Sequence, residues 1–223
     1  MDPNRKTSII VGILFIIATV STLLTILGFW SIYEVDYLTL VAVNEVSMLV
    51  AVFLFFTLAA SAVGISIAIF PILKKYNESL ALSYFTARAF EAIFVIFGIV
   101  NLLGILSLSQ EFVNATSPVL SYYETSGALL ISAFDWSSVL LDVPFMLSAL
   151  ILNYVLYKAD LVPKWLSGWG FIGAVVYVGY MLSEFFLHMS FMEIFAAPLG
   201  IQEMALAAWL LFKGFNLDFI SKE

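Results

Sequence analysis

Six apolar stretches, each long enough to cross a bilayer, leave this chain little choice of fold. A lipid core about 30 Å thick needs roughly 20 apolar residues of helix to span it. With no water there to satisfy backbone groups, only helices or closed barrels can do so. The stretches cover about 8–29, 45–72, 80–106, 127–157, 168–188 and 194–212. They predict an all-α integral membrane protein, a six-transmembrane-helix bundle forming one transmembrane domain over 1–223. With 63% of residues hydrophobic and 11% charged, no segment remains for a soluble module, in which about a quarter of residues would be charged. The first stretch opens like a signal peptide. It stays apolar to Trp30 without a small-residue cleavage site, so it is expected to remain as the first helix.

The charges orient the bundle. Arg5 and Lys6 precede the first stretch, Lys74 and Lys75 follow the second, Lys158 and Lys164 the fourth, and Lys213 and Lys222 the sixth. The alternate loops carry acids: Glu34, Asp36, Glu111, Glu124 and Glu193. Basic residues stay cytoplasmic during insertion, so both termini are expected inside the cell membrane. The longest loop, 110–125, is expected outside. The net charge of -7 argues against nucleic acid as a partner. The partners that remain are the lipid bilayer, a small cationic or amphipathic ligand, and a second copy or another membrane protein.

The ninth basic residue, Arg88, lies inside the third stretch, and carboxylates accompany it at similar depth. A charge at the centre of a membrane helix costs about 2.5–3.5 kcal/mol on insertion scales, so such residues face a bundle interior or a wet cavity. Arg88 and Glu91 are three apart and share a helix face. Asp135 and Asp142 are seven apart on one stripe, with Asn153 near its continuation. Glu184 and His188 are four apart at the outer end of the fifth stretch, and Gln202 and Glu203 are adjacent in the sixth. At 1.5 Å of rise per residue, Arg88, Glu91, Asp142 and Glu203 fall near the midplane, and Asp135, Glu184 and His188 in the outer half. Pro144 cannot donate to the Leu140 carbonyl, nor Pro198 to that of Ile194, which adds free acceptors. Five acids facing one Arg and one His predict an acidic cavity opening outward. The candidate ligand-binding residues are therefore Arg88, Glu91, Asp135, Asp142, Glu184, His188, Gln202 and Glu203. The competing expectation is a polar knot that only fixes helix register, since polar groups across helices also hold bundles together.

Several chemistries are excluded. Without cysteine there are no disulfides, thiol nucleophiles or iron–sulfur clusters. One histidine cannot build a multi-His zinc site or a paired Glu-x-x-His di-iron centre. No Gly-rich phosphate loop is present, because Gly168-Trp169-Gly170 sits at a membrane boundary outside a strand–helix context. No metal or cofactor is expected, and no residue is assigned a catalytic role.

Three segments carry a family resemblance. They are Arg88-Ala-Phe-Glu-Ala92 continuing to Leu106-Ser-Leu-Ser-Gln-Glu-Phe112; Tyr157-Lys-Ala-Asp-Leu-Val-Pro-Lys-Trp-Leu-Ser-Gly-Trp-Gly170; and Gln202-Glu-Met204 with Trp209-Leu-Leu-Phe-Lys-Gly-Phe215. With the opening from Lys6 to Val20, the chain resembles the prokaryotic membrane-protein family of domain of unknown function 4386. The resemblance implies a compact multi-span helical protein of a bacterium or archaeon, and no activity. The family's Arg-x-x-Glu, Asp-Trp (Asp135-Trp136 here) and Gln-Glu pairs coincide with polar residues chosen above.

Three functions are carried forward in order. The first is binding or transport of a cationic or zwitterionic small molecule, lipid head groups included. The second is a non-catalytic membrane subunit or sensor with a structural polar core. The third is an intramembrane acid/base enzyme acting on a lipid-like substrate, which ranks last because no nucleophile or cofactor signature supports it.

Overall fold

Polar residues at the helix ends divide the chain. The computed structural model describes residues 3–116, 119–187 and 195–216, with the Glu184 side chain left aside, and the described elements are all helical. Helix α1 (Pro3–Phe29) runs into a 3-10 turn (Trp30–Tyr33) and a short helix α2 (Tyr37–Val43). Long helices α3 (Glu45–Tyr76), α4 (Glu78–Asn114), α5 (Leu120–Lys158) and α6 (Lys164–Leu187) follow, then α7 (Ala197–Phe212). Between α3 and α4 the break is made by Asn77, whose side-chain oxygen accepts from the Leu80 amide at 2.9 Å. Lys74 and Lys75 close α3, where its dipole is negative, and Glu78 opens α4, where the dipole is positive.

Five helices (α1, α3, α4, α5 and α6) are long and apolar enough to cross a membrane, and α7 is a shorter apolar helix. The chain is thus a multi-pass membrane protein. At 1.5 Å per residue the 16 residues of α7 rise roughly 24 Å, less than the bilayer core. Helices α4 and α5, with 37 and 39 residues, exceed it instead. This corrects the outer loop expected over 110–125. Most of that stretch is helix, because α4 continues to Asn114 and α5 starts at Leu120. Backbone hydrogen bonding does not stop where hydropathy does. The two extensions hold each other through the Tyr123 hydroxyl, which donates to Glu111 at 3.2 Å, and through the Phe112 and Tyr123 rings at 5.3 Å.

The helices form a closed ring. Each of α1, α3, α4, α5, α6 and α7 packs on the next, and α7 returns to α1. One end, here called the terminal end, gathers the start of α1, the α3–α4 and α5–α6 turns, and the end of α7. Its core contains Val11, Ile69, Leu73, Ala81, Tyr84, Leu156, Leu161 and Leu210. Arg5, Lys6, Lys74, Lys75, Lys158, Lys164 and Lys213 therefore lie towards one end. The opposite, α2 end has its own core of Ile32, Val41, Met48, Leu102, Ile105 and Phe134. Leu27 and Phe53, each 68% exposed, face outward as lipid-facing residues do.

Candidate functional site

Between the two cores the ring does not close up. A cavity of about 450 Å³ is lined from the five long helices and α7: Phe15, Ala18, Thr19, Thr22 and Leu23 on α1, Leu58 on α3, Arg88 and Glu91 on α4, Leu141, Asp142 and Phe145 on α5, Tyr177 on α6, and Leu199, Gly200 and Glu203 on α7. Its size suits a small organic ligand.

Its polar wall starts from one helix. Arg88 and Glu91 are each 3% exposed, and the Arg88 Nη1 donates to the Glu91 Oε2 at 2.8 Å. The three-residue spacing makes this pair inevitable once both face inward. The guanidinium also lies 6.0 Å from the centroid of the Phe145 ring, within cation–π range. Its Nε is buried without a hydrogen-bond partner among the described residues. Opposite, the Tyr177 hydroxyl donates to the Asp142 Oδ1 at 2.7 Å and orients that carboxylate. Glu203, partly buried, faces the same space and is close enough for its charge to act on Arg88. Among the described residues, its carboxylate makes no hydrogen bond or ion pair. Among the described residues one guanidinium and three carboxylates line the cavity, and the formal sum with all ionised is +1 − 3 = −2. A low-dielectric pocket of that sign favours a cation. Among the described residues no group of three His or acidic side chains is spaced to hold a metal ion.

A family model described as "Domain of unknown function (DUF4386)" matches residues 10–214. The chain belongs to this family. No curated protein and no solved structure matches it.

In this DUF4386 protein the structure sorts the sequence candidates into three groups. Arg88, Glu91, Asp142 and Glu203, the midplane set, meet in the cavity. Asp135 does not join them. It lies exposed and accepts from the Tyr33 hydroxyl at 2.7 Å, which ties α5 to the turn after α1. Gln202 also turns away. Fully buried, it donates to the Asn153 Oδ1 and to the Leu166 carbonyl, each at 3.2 Å, and so joins α7 to α5 and α6. His188 and the Glu184 side chain lie outside the described residues. Pro198 belongs to the first turn of α7, so it opens that helix rather than interrupting it, and Ile194 also lies outside the described residues. Pro144 is inside α5, as its sequence position requires.

The residue that sequence reasoning missed is Tyr177. A signal existed: a phenol in the middle of an apolar span needs a hydrogen-bond partner, and a carboxylate at similar depth was available in Asp142. Thr19 and Thr22 were missed as well, because a threonine in a membrane helix can satisfy itself. Thr22 does so, donating to the Ala18 carbonyl at 3.0 Å.

Proposed function

We propose that the protein binds or transports a small cationic or zwitterionic molecule in the Arg88–Glu91–Asp142–Glu203 cavity. The observation that carries this reading is the excess of carboxylates over cations in a chamber lined from every long helix. The Arg88–Glu91 pair is already matched, and an ammonium group in the cavity would meet Glu203 and the Tyr177-bonded Asp142. The same reading makes α7 the sixth span, puts the basic terminal end in the cytoplasm of a prokaryotic cell, and turns the α2 end outward. The clustering of Lys and Arg at one end supports that orientation.

A second reading has its own support. Because the Arg88–Glu91 contact is complete within α4, the layer works equally well as a structural polar core in a membrane subunit or sensor.

Thermal unfolding of the purified protein in detergent, against a panel of amines, metal ions and lipids, separates the two. Under the binding reading an amine raises the melting temperature of the wild type, since selective binding to the folded state adds about 2.7 kcal/mol at a hundred times Kd. Asp142→Asn keeps an acceptor for Tyr177 and should remain folded while losing the shift. An amine panel that moves neither protein, with Asp142→Asn merely less stable, favours the structural core instead.

A further inference from the structure

The cavity has an open margin at the seam between α1 and α7. At the terminal end that seam is fastened. The guanidinium of Arg5 donates to the last carbonyls of α7, those of Leu210 at 2.9 Å, Leu211, and Phe212 at 3.4 Å. The Ser8 hydroxyl oxygen accepts from the Phe215 amide at 3.2 Å. At Gly12 the helices touch, since a Cβ there would stand 2.9 Å from the Ala207 carbonyl oxygen and 3.0 Å from the Leu211 Cγ.

Two turns further along α1 the helices part. Thr19, Thr22 and Leu23 line the cavity from one side and Gly200 from the other. Among the described residues, a Cβ on Gly200 would meet nothing within 4 Å. Thr22 is exposed and Leu23 is 68% exposed, so the cavity margin is also the lipid-facing surface of α1. A groove of about 570 Å³ also lies between α4 and α5, lined by Leu82, Phe90, Leu140, Val143 and Leu147, and none of the cavity's acids lines it. Elsewhere neighbouring helices touch. Gly28 of α1 presses on the Ser47 carbonyl of α3, a Cβ on Gly98 of α4 would stand 2.9 Å from the Ser137 Oγ of α5, and the Phe145 and Tyr177 rings bridge α5 and α6 at 5.5 Å.

The geometry points to a ligand taken from the bilayer: an amphiphile with an amine head group that enters sideways between α1 and α7. Its head would reach Asp142 and Glu203, and its chain would stay in the seam against Leu23 and Gly200. This rests on the binding reading above and adds to it the ligand class and the route. The charge of the cavity selects an ammonium head over a phosphate or carboxylate. The apolar margin gives an alkyl chain no reason to leave the lipid.

The test uses the full chain in bilayer nanodiscs of zwitterionic phospholipid, with a dodecylamine probe carrying a photoreactive diazirine near its chain end. Labelling that is competed by plain dodecylamine is mapped by peptide mass spectrometry. The expected result is label on Thr19–Leu23 and Ala197–Gly200, reduced at least about tenfold in the Asp142→Asn/Glu203→Gln double variant. Gly200→Phe should lower it to a similar degree by filling the seam, while keeping the melting temperature. If labelling depends on the two acids but falls on α4, α5 or α6, the lateral route is wrong and the cavity reading stands. If competed labelling is absent, or is indifferent to the acids, both fall. Should Gly200→Phe fail to fold, the wild-type map still decides the route.

Discussion

Removing one partner of the Arg88–Glu91 pair should cost about as much as removing both, or more. Each residue is 3% exposed and their contact is 2.8 Å. Either survivor would therefore keep a charge it cannot hydrate. Breaking a buried pair typically costs about 3–5 kcal/mol, whereas replacing both members with apolar groups of similar volume is often close to neutral. The cavity skews these figures. Arg88→Met takes away the ion-pair partner of Glu91 and the charge that acts on Glu203, and belongs at the top of the range, about 5 kcal/mol. Glu91→Leu leaves Arg88 facing the other two carboxylates and belongs at the bottom, about 3 kcal/mol. The double variant removes one charge of each sign and should cost no more than about 5 kcal/mol. The coupling energy is then roughly 3 kcal/mol or more, at the upper end of what contacting residues show. Equilibrium unfolding in mixed detergent micelles, followed by circular dichroism, measures all four corners of the cycle. Single losses below about 1 kcal/mol that add within about 0.5 kcal/mol would refute the claim that these charges are held out of water and depend on each other.

The two glycines of the α1–α7 seam should respond in opposite directions to the same substitution. Gly12→Ala forces a methyl against the Ala207 carbonyl and should destabilise by about 1–3 kcal/mol, whereas Gly200→Ala enters open space and should stabilise by up to about 1 kcal/mol through helix propensity; melting temperatures in one detergent compare them directly. Arg5→Ala withdraws the donors that cap α7, so amide exchange at Leu210–Lys213 should accelerate while exchange in α4 stays unchanged. Gln202→Leu strands the Asn153 oxygen and the Leu166 carbonyl and should cost about 1–3 kcal/mol without weakening amine-induced stabilisation, and Glu203→Gln should show the reverse pattern.

Hydropathy located the helices because the bilayer enforces one rule along the whole chain, and the observed ends differ from the expected ones where that rule stops applying. The stretch around Gln110 and Glu111 reads as loop because it is polar, but a helix that has left the lipid keeps its hydrogen bonds and gains a partner in Tyr123. The short helix α2 lies between the first two apolar stretches, where only a loop bearing Glu34 and Asp36 was expected. At the site, residue spacing placed Arg88, Glu91, Asp142 and Glu203 at similar levels, and the four line one cavity. Direction was less legible. Asp135 shares a stripe with Asp142, yet it meets Tyr33 rather than the cavity, because seven residues carry it towards the α2 end, where the 3-10 turn waits. The α1–α7 seam was not legible at all. It depends on the ring closing between the first and last helices, and no spacing within one segment reports that.

Gln202 and Glu203 show how one helix serves two polar environments. Adjacent residues project about 100° apart around a helix axis, so both cannot face the same neighbour. Gln202 faces α5 and α6 at a point where packing is complete: a Cβ added at Gly170 would collide with Asn153, its hydrogen-bond partner. No ligand fits there, and the amide's work is to hold three helices in register. Glu203 faces the side where the ring stands open, across from Asp142 and next to the Arg88–Glu91 pair. If the carboxylate layer existed only to fix register, it would be packed as tightly as the Gln202 cluster, because an empty space beside charges forfeits the contacts that offset their desolvation. The open volume beside Glu203, set against its absence beside Gln202, is therefore the strongest argument that the acidic layer exists to be filled.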